Sequence, residues 1–156
     1  MNWRTLMRTR LIKGLSLLSL SFLGCGDPVP TGPDPLIEPF VGNWAATAFV
    51  LTSSVSDQVS IDLIQLGGTF NLNIQPSGSY TAILVYAGLG RTEIGTISVT
   101  ATTVALNREF PTRENEVSAY QFVGDTVLIL DGDTEFDLDF DGQEDPTLAH
   151  FELLRK

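Results

Sequence analysis

The chain has 156 residues, enough for one domain but not for two sizeable ones. It carries nineteen acidic and nine basic residues, a formal charge of −10, and a single cysteine. That charge balance argues against binding to nucleic-acid backbones or anionic headgroups, and the lone cysteine excludes an internal disulfide.

The first element is a leader. Arg4, Arg8, Arg10 and Lys13 precede an apolar run of ten residues, Gly14 to Leu23. Crossing a bilayer as a helix takes roughly 20 apolar residues, so this run is too short. Positive charge, a short apolar run and small residues together make a secretory signal. The closing Leu23-Gly24-Cys25 resembles the lipobox of bacterial lipoproteins, with Phe22 where that family more often has Leu. The resemblance implies a signal peptide over residues 1–24, removed after Gly24. It also implies that Cys25 becomes the N-terminus and carries acyl chains such as palmitate. Gly26 after the anchor, rather than Asp, implies the outer membrane of a cell envelope that has one. From Cys25 onward five basic residues face all nineteen acidic ones, giving −14.

Residues 25–39 read as the lipidated cysteine and a Pro-rich linker. Four prolines and two glycines between Gly26 and Pro35 cannot make a helix or a central strand. The folded domain is expected over residues 40–156. Ala45 to Leu51 predicts a first strand. Val59 to Leu66 predicts a short helix or turn, with Ser56 as cap, Gly67 as stop and Val59, Leu63 and Leu66 on one face. Thr69 to Gln75 alternates, Phe70, Leu72 and Ile74 facing one side. Pro76-Ser77-Gly78 turns the chain into a return strand, Ser79 to Tyr86. Residues 87–91 predict a loop. Thr92 to Thr100 predicts a strand bulged at Gly95. Thr103 to Asn107 predicts a short strand, and Arg108 to Glu116 a charged loop. Val117 to Val123 and Thr126 to Leu130 predict a hairpin across Gly124-Asp125. Glu135 to Phe140 and Thr147 to Leu154 complete eight or nine short strands. The fold class expected is all-β, an antiparallel barrel or sandwich.

Gly42-Asn43-Trp44 at the first strand, successive hairpins and a last strand ending in Arg155 resemble the small bacterial lipocalin-like domains. The family's Gly-x-Trp motif falls on Gly42, Asn43 and Trp44. The resemblance implies an up-and-down barrel that often holds a small apolar ligand. It also implies structural roles at the barrel end for Gly42, Trp44 and Arg155. Trp44 is expected in the core, and Arg155 either lies over its ring as a cation–π partner or stands as a solvated chain end.

Catalytic motifs are absent. The sole histidine, His150, shares a strand face with Glu152, and no phosphate loop, serine elbow or His-based zinc motif is present. A non-enzyme is expected. Asp137-x-Asp139-x-Asp141-Gly142 matches the first half of a calcium loop, with Asp145 at the ninth position. Leu148 stands at the twelfth, where a bidentate Glu is wanted. The stretch reads either as a weak Ca2+ site or as an acidic hairpin protecting an edge strand. Three functions follow for the domain: a lipid-anchored binder of a small apolar ligand, a structural or interaction lipoprotein with a filled barrel, or a weak calcium module. No ligand residues are identified.

Overall fold

The computed structural model describes residues 34–55, 59–138 and 141–156. The leader, Cys25 and the linker up to residue 33 lie outside the described residues, as do the expected cap Ser56 and Asp139 and Phe140. Among the described residues there are nine strands and no α-helix. They are β1 (Gly42–Ser53), β2 (Ser60–Asp62), β3 (Thr69–Ile74), β4 (Ser79–Tyr86), β5 (Leu89–Val99), β6 (Thr103–Phe110), β7 (Glu114–Val123), β8 (Val127–Phe136) and β9 (Asp145–Arg155).

All pairings are antiparallel, and β1 pairs β9 as well as β3. The sheet therefore closes as an eight-stranded up-and-down barrel, with β2 as an additional strand on β1. Closure removes the unpaired edges that an open sheet would expose. The alternation that marked Phe70, Leu72 and Ile74 turns these side chains inward, and the same period of two runs around the whole barrel.

The strands outrun several of their expected bounds. Residues 87–91 are not a loop. Tyr86 pairs with Leu89, leaving a two-residue turn at Ala87-Gly88 with φ of 50° and 78°, the twist that suits a tight hairpin. Nor is 108–116 a loop, because Arg108 to Phe110 prolong β6 and Glu114 to Glu116 begin β7. β8 is continuous from Val127 to Phe136, so Asp131 to Thr134 are strand rather than turn. It pairs with β7 and β9, so it is no edge, and an edge-guarding role for its acidic residues has no place here.

Val59 to Leu66 forms no helix. Residues 60–62 pair with β1, and Asp62 Oδ1 accepts the N–H of Ile64, nucleating a turn in place of further helix. Of the expected face only Leu63 is buried, while Val59 and Leu66 are exposed. The bulge at Gly95 is present, in the register shift between Ile94 and Gly95. Gly95 faces Tyr80, and a Cβ there would run into the Asn107 carbonyl oxygen and the Tyr80 ring.

The interior is packed differently at its two ends. At one end Trp44, Ile74, Tyr80, Ile97, Val104, Leu128 and Leu153 form a dense core. A short 3-10 turn, Glu38–Phe40, lays Phe40 across it, edge-on to Tyr120 at 4.9 Å and to Phe122 at 5.0 Å. Toward the other end the core thins to Phe49, Leu51, Leu63, Leu138 and Ala149, with Phe70, Phe136 and Phe151 against them.

Candidate functional site

Gly42, Trp44 and Arg155 meet at the closed end. Trp44 is 1% exposed, and its Nε1 donates to the Phe40 carbonyl at 2.8 Å. The Arg155 guanidinium carbon lies 4.2 Å from the centre of the Trp44 ring. Its N–H groups donate to the carbonyls of Val41, Pro39 and Asp125 at 2.6, 2.7 and 2.9 Å. Gly42 lies beneath it, where a Cβ would stand 3.0 Å from Nη1. These contacts hold the guanidinium over Trp44 and bring Gly42, Trp44 and Arg155 together at the closed end.

The opposite end holds a cavity of about 360 Å³. Its walls are sorted by strand. Phe136, Phe151, Phe49 and Phe70, from β8, β9, β1 and β3, make an aromatic sector. Phe151 stacks on Phe49 at 3.9 Å and leans on Phe70 at 5.0 Å. Across the barrel, β5, β6 and β7 contribute Glu93, Arg108, Glu114 and Glu116. Ala82, Ser118, Gly132 and Ala149 line the space between, and their small side chains leave it open.

Arg108 is the centre of the charged sector. It is only 6% exposed. Nη1 donates to Glu93 at 2.8 Å and to Glu116 at 3.3 Å, Nε donates to the Thr112 carbonyl at 3.1 Å, and Nη2 pairs with Glu114. Arg91 also pairs with Glu93, at 2.9 Å. Burial pushes the Glu116 carboxyl above its usual range, the nearby Glu93 charge adds to this, and Arg108 opposes it. One inward position below Ala82 on β4 lies Tyr80, 2% exposed, its hydroxyl without a hydrogen-bond partner among the described residues. Burial, then Glu93 and Glu116, push this phenol up to about 12.

The Glu116 shift has a defined consequence. A carboxyl whose folded pKa lies above its unfolded value favours the fold most at low pH, and that contribution is lost as pH rises through the folded pKa. Stability of the parent protein should therefore fall upward from about pH 4.5, the ordinary value, relative to Glu116→Gln. Glutamine keeps an oxygen acceptor for Arg108 without the buried charge. Thermal melts of the two proteins across this range check it. Parallel Tm-against-pH curves would contradict the prediction.

The acidic stretch after β8 is organised as a turn. Asp137 Oδ1 and Oδ2 accept the N–H groups of Asp141 and Gly142 at 3.0 and 2.9 Å. Asp141 accepts the Gln143 N–H at 2.8 Å, and Asp145 the Leu138 N–H at 3.2 Å. Leu138 is buried in the bend after β8 rather than within the strand. Among the described residues no three His, Cys, Asp or Glu side chains are gathered as metal ligands. His150 lies outside the barrel wall, its Nδ1 2.6 Å from Asp131 and its Nε2 3.7 Å from Glu152. The hydrogen bond to Asp131 raises its pKa, against a smaller effect of burial.

The cavity residues are hidden in the sequence because Arg108, Glu114 and Glu116 lie in a charged stretch around Pro111 that has the composition of a loop. A signal was present: Val104, Leu106 and Arg108 keep the inward period of β6, and Glu114, Glu116, Ser118 and Tyr120 that of β7. No protein-family model matches the chain, and no curated protein matches it significantly in sequence. The class is thus defined by architecture: a small, closed, lipocalin-like β-barrel, filled at one end and hollow at the other.

Proposed function

We propose that this protein is an exported, lipid-anchored barrel that binds a small molecule with an apolar body in the hollow end of its interior. The cavity carries this reading. An eight-stranded barrel can be filled by its own side chains or can hold one small ligand. Here small residues stand at the places where larger ones would complete the packing, which favours a ligand over a purely structural barrel. An apolar cavity of about 150 Å³ accepts benzene. A cavity of about 360 Å³ suits a body near two fused rings. Binding is favoured over catalysis because the inward carboxylates are engaged by Arg108 and the sole histidine lies outside the wall.

The lipid anchor is supported by the lipobox-like Leu23-Gly24-Cys25. Several acyl chains hold a protein stably at a membrane, whereas one does so marginally. Mass spectrometry of the N-terminal peptide should find an acylated Cys25, and Cys25→Ser should release the protein from membranes. An unmodified Cys25 would overturn the anchor.

Ligand binding is tested with 1-naphthylmethanol by titration calorimetry. Saturable one-site binding is expected, weakened in Ala82→Leu, which narrows the cavity without removing a polar group. Failure of all naphthalene probes to bind would overturn the ligand role.

A further inference from the structure

The charge of the hollow end selects among apolar ligands. Arg91 and Arg108 are outnumbered there by four carboxylates, those of Glu93, Glu114, Glu116 and Glu144, while Asp133 and Glu135 stand on outward positions of β8. The formal balance is −2, and with Glu116 protonated it is still −1. A carboxylate ligand would enter against this field. Its natural partner would be Arg108, but four of the five guanidinium N–H groups already face Glu93, Glu116, Glu114 and the Thr112 carbonyl. Displacing them would leave the partly buried carboxylates of Glu93 and Glu116 unpaired.

An ammonium group meets the opposite situation. Glu93 and Glu116 share a single Arg108 nitrogen, so each retains acceptor capacity toward the cavity. Charge-assisted hydrogen bonds are about twice as strong as neutral ones. The ring faces of the aromatic sector also attract cations, most strongly where water is excluded.

Resting on the ligand reading above, we infer that the barrel binds small organic cations, an apolar body of about two rings bearing one ammonium group, in preference to neutral or carboxylate analogues. The aromatic sector takes the body, and Glu93 and Glu116 take the head.

Three probes of one shape test this: 1-naphthylmethylamine, 1-naphthylmethanol and 1-naphthoate, titrated calorimetrically at neutral pH. The amine should bind at least tenfold more tightly than the alcohol, and the carboxylate at least tenfold more weakly. The amine preference should shrink in Glu116→Gln and in Glu93→Gln, while alcohol binding persists. Salt should weaken amine binding more than alcohol binding. Equal affinities, or a preference for the carboxylate, would overturn the cation inference and leave the ligand reading standing. Absence of binding by all three would overturn both. If Glu93→Gln fails to fold, Glu116→Gln together with the salt series still decides.

Discussion

Arg108→Met should destabilise the barrel by about 3–5 kcal/mol, although methionine fills a similar volume. The loss arises from what is left behind. Glu93, Glu114 and Glu116 converge on one guanidinium, and its removal leaves three carboxylates facing one another inside the barrel mouth. Glu114 is half-exposed and can turn to solvent, so the effect should fall toward the lower end of the range. The deficit should shrink as pH falls into the carboxylate range, because protonation removes the unpaired charge. Adding Glu116→Gln should recover part of it at neutral pH. Denaturant unfolding of the parent, the single and the double variant measures each quantity. A change below about 1 kcal/mol for Arg108→Met would show that the cluster contributes nothing beyond a surface ion pair.

Trp44→Ala should cost about 3–5 kcal/mol, the range for removing a large buried aromatic side chain. Trp44 fills the centre of the closed end, with Phe122 at 6.2 Å and the Arg155 guanidinium over its ring. Alanine would open a void beneath Phe40, leave the Phe40 carbonyl without its donor and uncover Arg155. Trp44→Phe separates these effects. It keeps most of the apolar volume but not the N–H, so its loss should be about 1–3 kcal/mol, the cost of an unsatisfied buried acceptor. Equilibrium unfolding of both variants is the check. Near-wild-type stability of Trp44→Ala would mean that the closed end can collapse onto the missing side chain.

What the sequence revealed follows from where hydrophobic alternation is strong. Phe70, Leu72 and Ile74 stand among Thr and Asn, so the strand, its inward face and its hairpin were all legible. Trp44 and Arg155 were legible as partners through a resemblance, and their register pairing on β1 and β9 brings them together. The hollow end was not legible. Its inward face carries charge, so the contrast between the two faces of β6 and β7 vanishes where the site begins. Burial of Arg108 depends on Glu93 from β5 and on Glu114 and Glu116 from β7, which only long-range register supplies. A stretch rich in Arg, Glu and Pro otherwise has the composition of a surface loop. The acidic residues after β8 copy the spacing of a calcium loop, and their spacing alone does not reveal that Asp137 accepts the N–H groups of Asp141 and Gly142.

The 3-10 turn at Glu38–Phe40 also fixes a direction. It crosses the filled end, and Arg155 ties it there through the carbonyls of Pro39 and Val41. Whatever precedes Asp34 therefore joins the barrel at its sealed pole, while the cavity opens at the far pole, beyond the length of β1. The chain's lead-in and the mouth of the cavity are thus kept at opposite poles, and the 3-10 turn leaves the path into the cavity unobstructed.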